Sequence, residues 1–413
     1  MAKPKLALIP ATQGSKLYSV LPADGVGDFT FSRNSAATRI NKDGLIETVA
    51  VGKSRLNYPL IDGVVNGCPS HLLEPERLQK IQYSEAFDNA YWTKSGSSVV
   101  SGFTSPKGDL SAFKFIEGTG TGTKFLRGSG FSQLVTDNVS LSIYAKAAEN
   151  KSVILYEDYS DSGVIFNLET EVITAYRGSP VSSSMDALPN GWYKLNLTVF
   201  PNYTISQYKV LNVNQTGASS YTGDGTSGVY IFGAQLEEGS YPTSYIPNYG
   251  TSAGITRVAE TANGAGDAST FNSSEGVLML ETKGENDETF NYISLSDGGT
   301  TNYAGILYTD NDNQITYRYY VGGSGVQIII ENIIVTNFNK IAIKYKANDF
   351  AIWINGIEVG TASSGSLNPS GTFNQLAFAR GGANNTPFYG SAKQIQYFDS
   401  ALNDSDLETL TSW

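Results

Sequence analysis

The stretch FGAQLEEGSYPTSYIPNYGTSAGITRVAE, residues 232–260, decides how this chain is divided. It begins inside an apolar run, residues 229–237, whose composition is typical of a β-strand. Proline removes a backbone donor and glycine weakens a strand, so no helix or central strand continues through the residues that follow. These breakers are Gly239, Pro242, Pro247, Gly250 and Gly254. The stretch therefore predicts a joint between one β-rich block before it and another after it.

The composition favours an all-β protein. Its 413 residues are enough for two or three domains with their own cores. Only 16% of them are charged, whereas 43 are Gly and 25 are Tyr, which suits many strands and turns. We therefore expect β-sandwiches joined by polar loops.

The charge and the single cysteine exclude several classes of protein. The formal net charge is −11 and no cluster of Lys and Arg occurs, so the sequence predicts no nucleic-acid partner. The only cysteine, Cys68, excludes an intrachain disulfide. Neither a signal-peptide apolar run nor a bilayer-length segment is present. We expect a chain made in the cytoplasm, with no membrane insertion.

Residues 1–82 are predicted to be an irregular N-terminal segment, because they show no sustained periodicity. The run Leu6–Pro10 predicts a short edge strand that its proline ends. The Asp43-Gly44 pair predicts a hairpin between residues 38–40 and 45–49. Asp28 and Glu47 are candidate buried partners for Arg33 and Arg39, and two ordinary surface arginines are the alternative.

Four motifs of this segment resemble the N-terminal segment of bacteriophage tail and fibre proteins. They are FSRNSAATR (31–39), DGLIE (43–47), RLNY (55–58) and CPSHLLEPER (68–77). Two positions depart from the family pattern: Lys53-Ser54 precede Arg55 where proline is usual, and Leu78-Gln79 replace Thr-Asn. The resemblance implies that this segment attaches to or assembles with other virion proteins.

Residues 83–250 are predicted to form a β-sandwich or jelly roll. Short alternating segments, of which residues 139–147 are the clearest, recur with turn signals between them. Phe87, Trp92 and the run Gly191–Lys194, together with AQLEEGSYPTSYIP, resemble a carbohydrate-binding-module-like jelly roll common in phage virion proteins.

Residues 251–275 form a predicted linker, and residues 276–413 a second β-sandwich. The Asn355-Gly356 pair predicts a hairpin, and residues 400–410 a helix that Asn403 or Ser405 caps. The runs WING at 353–356 and ALNDSDLETL at 401–410 resemble the laminin-G and concanavalin A-like domains.

The sequence predicts no catalytic residues, and hence no enzyme. The one histidine, His71, lies near Cys68, but Pro69 intervenes. Glu157 and Asp158 are adjacent and so point to opposite faces of a strand, which does not suit glycoside hydrolysis. The run Glu285–Glu288 lies in a turn without the alternation that concanavalin-like hydrolases use.

Calcium is the only cofactor for which the sequence offers ligands. Asp310 and Asp312 supply oxygens in the run TDNDNQ, although a plain hairpin turn explains the same residues.

Tyrosines are the candidates for glycan binding, because exposed rings stack on sugars. Tyr156, Tyr159 and Tyr176 are the candidates in the first block, and Tyr317, Tyr319 and Tyr320 in the second, with Tyr156, Tyr159, Tyr317 and Tyr319 favoured. Tyr317 and Tyr319 share one face of their strand, and Arg318 and Tyr320 share the other. Packing within the sheets is the alternative explanation.

Taken together, these motifs predict a phage virion structural protein, namely a fibre, appendage or decoration subunit, exposed on the virion surface. Its partners would be other virion proteins and host-surface glycans, and the resemblance implies a homo-oligomer, a trimer above all. Two alternatives stay open: a polysaccharide depolymerase module, and a purely architectural capsid protein without a ligand.

Overall fold

The computed structural model describes residues 2–135, 137–200, 203–214, 217–285, 290–311, 313–382 and 386–413. This part of the chain is nearly all β, with many sheets and one short α-helix. The predicted fold class, all-β with two β-sandwiches, is confirmed.

The N-terminal segment is richer in strands than its sequence predicts. Its strands are β1 (Leu6–Gln13), β2 (Lys16–Leu21), β3 (Phe29–Ser32), β4 (Ala37–Ile40), β5 (Ile46–Val49), β6 (Arg55–Asn57), β7 (Leu60–Ile61), β8 (Val64–Val65), β9 (Ser70–Leu73) and β10 (Arg77–Gln79). Most are short, and four of them, β1, β3, β9 and β10, pair with strands that lie far away in the sequence, so they leave no sustained periodicity.

The jelly roll consists of two packed sheets. Its strands are β11 (Trp92–Ser95), β12 (Ser97–Phe103), β13 (Ala112–Glu117), β14 (Thr121–Val135), β15 (Val139–Ala147), β16 (Ser152–Glu157), β17 (Ser162–Asn167), β18 (Val172–Arg177), β19 (Ser182–Leu188), β20 (Trp192–Val199), β21 (Tyr203–Val213), β22 (Ser220–Thr222) and β23 (Gly228–Glu238). The seven-stranded sheet runs β11-β14-β21-β16-β17-β18 with β22 beside β14, and the six-stranded sheet runs β12-β13-β23-β15-β20-β19. One hydrophobic cluster fills the space between them.

The predicted linker also contains strands. β24 (Ile255–Arg257) pairs with β10, and β25 (Thr261–Asn263) pairs with β3. The stretch after the joint is therefore held against the N-terminal segment.

The C-terminal sandwich contains β26 (Gly276–Gly284), β27 (Asn291–Ser296), β28 (Tyr303–Tyr308), β29 (Ile315–Val321), β30 (Ser324–Ile330), β31 (Asn339–Tyr345), β32 (Phe350–Ile354), β33 (Ile357–Ala362), β34 (Gln375–Ala377), β35 (Gly390–Phe398) and α1 (Asp404–Thr411). A five-stranded sheet, β30-β29-β28-β27-β34, faces a sheet of eleven strands. The largest buried hydrophobic cluster lies between them.

The eleven-stranded sheet joins the beginning of the chain to its end. Its path is β25-β3-β2-β1-β35-β26-β31-β32-β33, with β9 on β35 and β6 on β9. β1 lies between β2 and β35, with Leu6 opposite Tyr397 and Leu8 opposite Ile395. The expected edge strand is thus an interior strand, and it continues past Pro10 to Gln13, with a shift of register between Leu8 and Thr12.

Predictions from local turn chemistry are confirmed. β4 and β5 pair with Arg39 opposite Glu47 around the Asp43-Gly44 turn. β32 and β33 pair around Asn355-Gly356. The Asn403 side chain accepts from the backbone N–H of Asp406 at 2.9 Å and caps α1, which settles the choice between Asn403 and Ser405.

Candidate functional site

The motifs of the N-terminal segment and those of the joint meet in one buried ion cluster. It consists of Arg33, Arg55, Glu74, Arg257 and Glu260, whose side chains are at most 7% exposed. Arg55 lies in β6 and Arg257 in β24, and the other three follow β3, β9 and β24. The short strands therefore carry charges that are distant in sequence to a single point.

Each carboxylate of the buried ion cluster is shared by two arginines. Glu260 Oε1 accepts from Arg33 Nη1 at 2.5 Å and from Arg55 Nε at 2.9 Å. Glu74 Oε2 lies 2.7 Å from Arg55 Nη1 and 2.8 Å from Arg257 Nη1. Arg55 thus connects the two carboxylates.

The joint contributes further donors to Glu74. The backbone N–H of Ser244 donates to Glu74 Oε1 at 2.7 Å, and the Ser244 hydroxyl donates to Oε2 at 2.6 Å. Burial by itself would raise the pKa of Glu74, but Arg257 and Arg55 outweigh it and hold that pKa well below its usual range. The buried ion cluster is therefore a charged junction closed to solvent, in which Arg257 Nε is the one guanidinium nitrogen without a hydrogen-bond partner among the described residues of the cluster.

The predicted partners of two arginines have different outcomes. Arg39 Nε donates to Glu47 Oε2 at 2.8 Å, in a pair that is partly exposed. Arg33 pairs instead with Glu260, a residue 227 positions away that no local pattern relates to it.

A cleft of about 710 Å³ opens beside the buried ion cluster; we call it the junction cleft. Its floor is the outer face of the six-stranded sheet, where Tyr144, Lys194 and Asn196 alternate with core residues. Its walls are residues 38–62 of the N-terminal segment and residues 241–245 of the joint, and Lys283 and Glu285 also line it. The junction cleft therefore exists only where the three parts of the chain meet.

Close packing of a hairpin turn forms one of these walls. Gly63, between β7 and β8, has φ 74°, and a Cβ at this position would lie 2.6 Å from the carbonyl oxygen of Leu188. Only glycine combines this backbone conformation with so close an approach to the jelly roll.

Tyr317 and Tyr319, two of the predicted glycan-binding residues, lie in the core of the C-terminal sandwich. Both side chains are fully buried. Their hydroxyls donate to the backbone oxygens of Lys344 and Ser273 at 3.0 and 2.6 Å. No sugar can stack on them, which corrects the prediction, because the face that they share points inward.

The opposite face of the same strand carries a cluster that we call the Arg–Tyr face. Its members are Tyr292, Tyr303, Arg318, Tyr320 and Arg380. The Tyr303 ring lies 5.2 Å from that of Tyr320 and 6.1 Å from that of Tyr292. Arg380 reaches this face from the loop after β34 and lies 5.3 Å from the Tyr303 ring.

The two guanidiniums of the Arg–Tyr face are placed by rings and neutral oxygens. Arg318 Nη1 donates to the Tyr292 hydroxyl at 2.6 Å, and Arg380 Nη2 donates to the Thr300 carbonyl at 3.1 Å. Within the described ranges, neither arginine belongs to an ion pair. Burial raises the pKa of Tyr303 to about 12, so its phenol stays neutral and does not offset the two positive charges.

Tyr156 and Tyr159, two more of the predicted glycan-binding residues, lie on the outer side of the seven-stranded sheet. Tyr156 is half-buried against Tyr176 at 5.8 Å, and Tyr159 is 49% exposed. The charges nearby are paired, with Lys209 2.6 Å from Asp158 and Arg177 3.4 Å from Asp161. A stacking role for Tyr156 and Tyr159 stays a prediction.

Calcium binding also stays a prediction. Asp310 lies exposed in the turn between β28 and β29, and Asp312 lies outside the described residues. No group of three or more His, Cys, Asp or Glu side chains in the described part of the chain is arranged to hold a metal ion.

In the jelly roll, the ammonium group of Lys124 is surrounded by carbonyl oxygens. Lys124 Nζ donates to the carbonyls of Gly120, Gly122 and Tyr221 at 2.5, 3.0 and 2.9 Å.

The residues weighed for catalysis have structural surroundings. His71 is buried between Ser54 and the carbonyl of Ile9, whereas Cys68 is exposed. Glu157 is buried and its carboxylate accepts from backbone N–H groups of the following turn. In the run Glu285–Glu288, residues 286–288 lie outside the described residues.

Sequence reasoning missed Arg380, Tyr292 and Tyr303 as site residues. For Arg318 and Tyr320 the sequence did indicate a shared face, since they alternate with the two core tyrosines along β29. The position of Arg380 depends on the path of a loop that no periodicity describes.

In comparison with known proteins, the C-terminal sandwich is similar to one described family. Residues 279–408 match the family described as the Concanavalin A-like lectin/glucanases superfamily. No curated protein sequence matches the chain. Among the described residues, no helix has the length and apolar character needed to cross a bilayer.

Several solved structures are distantly similar. The CBM40 of the Ruminococcus gnavus IT-sialidase, bound to α2,3-sialyllactose, has 16% identity and a TM-score of 0.31, over 36% of this chain and 88% of that one. Domain 4 of the arabinanase AbnA from Geobacillus stearothermophilus, with arabinotriose, has 12% identity and a TM-score of 0.31, over 37% and 73%. Mouse laminin α1 domains LG4-5 have 9% identity and a TM-score of 0.25, over 84% and 96%. Similarity this distant does not indicate what the present chain binds.

Proposed function

We propose that this protein is a glycan-binding adhesion protein and that the Arg–Tyr face of its C-terminal sandwich is the binding surface. The observation that carries the proposal is the pair of guanidiniums, Arg318 and Arg380, that no acid neutralises in the described chain although the protein has a net charge of −11. The match of residues 279–408 to a superfamily of lectins and glucanases supports a carbohydrate as the ligand.

The chemistry of the Arg–Tyr face favours an acidic sugar. Guanidiniums bind carboxylate and sulfate groups through paired donors, and tyrosine rings stack on the apolar face of a pyranose. Arg318, Tyr320 and Arg380 are each partly exposed, so both kinds of group are accessible from solvent.

We further propose that the protein acts on a phage virion, as a fibre, appendage or decoration subunit that forms a homo-oligomer, such as a trimer. The motifs at 31–39, 55–58 and 68–77 support this role through their resemblance to phage tail and fibre proteins. Particles labelled at Trp413 and imaged by cryo-electron microscopy would test it. Label at the tail or the head is expected, and unlabelled particles would contradict it.

Binding to carboxylated polysaccharides tests the glycan proposal. We expect the intact chain to bind sialylated or uronic-acid glycans on an array, and Arg318→Gln and Arg380→Gln each to weaken binding by about 10- to 100-fold, as for lost charge-assisted hydrogen bonds. Arg177→Gln is the matched control, because Arg177 is an exposed arginine on the other sandwich and is paired with Asp161. Equal binding of a carboxyl-reduced polysaccharide would contradict the proposal.

The same experiment separates the two alternative functions. Sustained release of reducing ends from a bound polysaccharide would identify a depolymerase. Absence of binding to every glycan, together with attachment to empty capsids, would favour a purely architectural subunit.

A further inference from the structure

We propose that the junction cleft is a second binding site, specific for an uncharged, polyhydroxylated ligand such as a neutral oligosaccharide. This site is separate from the Arg–Tyr face and uses no residue of it. Its volume of about 710 Å³ falls within the usual range of ligand pockets, roughly 300–1,000 Å³.

Asn196 supplies an acceptor in the floor of the junction cleft. Its side chain is 3% exposed, and its Nδ2 donates to Ser184 Oγ at 2.9 Å and to Asp186 Oδ2 at 2.8 Å. Because a carboxylate only accepts, the contact with Asp186 fixes which end of the amide is nitrogen. The amide oxygen, Oδ1, is buried and has no hydrogen-bond partner among the residues that the structure describes. A ligand hydroxyl would supply the missing donor.

Tyr144 supplies a donor beside it. The ring is held at 5.9 Å from both Phe232 and Tyr245, and the side chain is 4% exposed. Burial, with the nearby carboxylate of Asp186, raises the pKa of this phenol well above its ordinary value, so it stays protonated. Its hydroxyl makes no hydrogen bond to any described residue and is available to a ligand oxygen.

The charges of the junction cleft argue against an anionic ligand. Arg39 is paired with Glu47, and Lys194 Nζ donates to the carbonyl of Thr243 at 2.7 Å. Acidic side chains, Asp62, Glu171 and Asp186 among them, line the same space and would repel an anion.

Hydroxyl groups suit this lining better than charges, because each hydroxyl both donates and accepts. The rings of Tyr58 and Tyr241 add apolar surface against which the face of a sugar can pack. The geometry thus provides an acceptor, a donor and aromatic surface within one cleft.

The test is calorimetry with neutral linear hexasaccharides of glucose, galactose, mannose and N-acetylglucosamine, added to the intact chain. At least one should bind, and Tyr144→Phe should weaken that binding by about 2- to 12-fold, as for one lost hydrogen bond. Tyr208→Phe is the matched control: Tyr208 is also buried, but its hydroxyl donates to the Ser142 carbonyl inside the jelly roll. The Tyr208→Phe variant should bind the hexasaccharide with the same affinity as the unchanged chain.

A second variant blocks the space itself. Ser184 is exposed and lines the junction cleft, so Ser184→Trp should abolish binding while thermal unfolding confirms a folded protein. Arg318→Gln should leave the neutral hexasaccharide affinity unchanged, which separates this proposal from the one for the Arg–Tyr face. The proposal fails if no hexasaccharide binds, or if binding survives both Tyr144→Phe and Ser184→Trp.

Discussion

Glu260 shows how much one buried charge can contribute, because its carboxylate accepts from both Arg33 and Arg55. Glu260→Gln leaves two buried guanidiniums undercompensated, and we expect a loss of about 3–5 kcal/mol in the free energy of unfolding. Glu47→Gln removes the acid of a partly exposed pair and should cost about 1 kcal/mol or less. Urea titration of both variants measures the difference. Equal losses would mean that the buried ion cluster contributes little to stability.

The buried imidazole of His71 makes the free energy of unfolding depend on pH. Its Nε2 lies 2.9 Å from the Ile9 carbonyl, and burial lowers its pKa to about 4 from an ordinary value of 6.5. Between these values the unfolded chain binds a proton that the folded chain does not. Stability contributed by the neutral imidazole is therefore lost as the pH falls from about 6.5 to about 4, by roughly 3 kcal/mol in total.

The variant His71→Gln tests this dependence. Glutamine can still donate to the Ile9 carbonyl, but it does not titrate. The midpoint temperature of thermal unfolding should therefore decrease less between pH 6.5 and pH 4 in this variant than in the unchanged chain. An identical decrease would assign the pH dependence to other groups.

Single residues were predictable from the sequence only where their partners are local. The pair Arg39–Glu47 follows from the hairpin that the Asp43-Gly44 turn forms. The alternation along β29 separated Tyr317 and Tyr319 from Arg318 and Tyr320, but alternation alone cannot say which face of a strand is buried.

At the scale of elements, the sequence predicted hairpins and missed long-range pairing. The pairing of β32 with β33 follows from the Asn-Gly turn between them. In contrast, β1 was expected at the edge of a sheet, but it lies between β2 and β35. Strand pairing across most of the chain is decided by which apolar faces complete a common core, and Leu6, Leu8 and Tyr397 share such a core. Which distant strands share a core cannot be predicted from any short segment of the sequence.

The position of β1 predicts that its stability is coupled to that of the C-terminal sandwich. Leu8 is 1% exposed, so Leu8→Ala should cost about 2–5 kcal/mol and speed hydrogen exchange of the amides in β35 and β26. Ile61 lies in β7 and is 56% exposed, so Ile61→Ala should change neither the stability nor the hydrogen exchange of β35 and β26. Faster exchange confined to β1 and β2 would show that the sandwich is stable without them.

At the scale of the whole molecule, the three predicted parts of the chain differ in their self-sufficiency. Both sheets of the jelly roll are built from strands between Trp92 and Glu238. The eleven-stranded sheet of the C-terminal sandwich, in contrast, takes β1, β2, β3, β6, β9 and β25 from residues that precede 276. The N-terminal segment is therefore part of the framework of the C-terminal sandwich.

Two matched fragments test this difference. Residues 83–250 retain both sheets and every member of their hydrophobic cluster except Ile81, so this fragment should fold alone and unfold cooperatively. Residues 276–413 expose an edge of β35 that β1 and β9 cover in the intact chain, and exposed edges promote aggregation. We expect the second fragment to aggregate, and to become soluble when residues 1–82 are co-expressed with it. A soluble, cooperatively folded 276–413 fragment would instead mean that its own strands suffice and that the N-terminal strands are added to a finished sandwich.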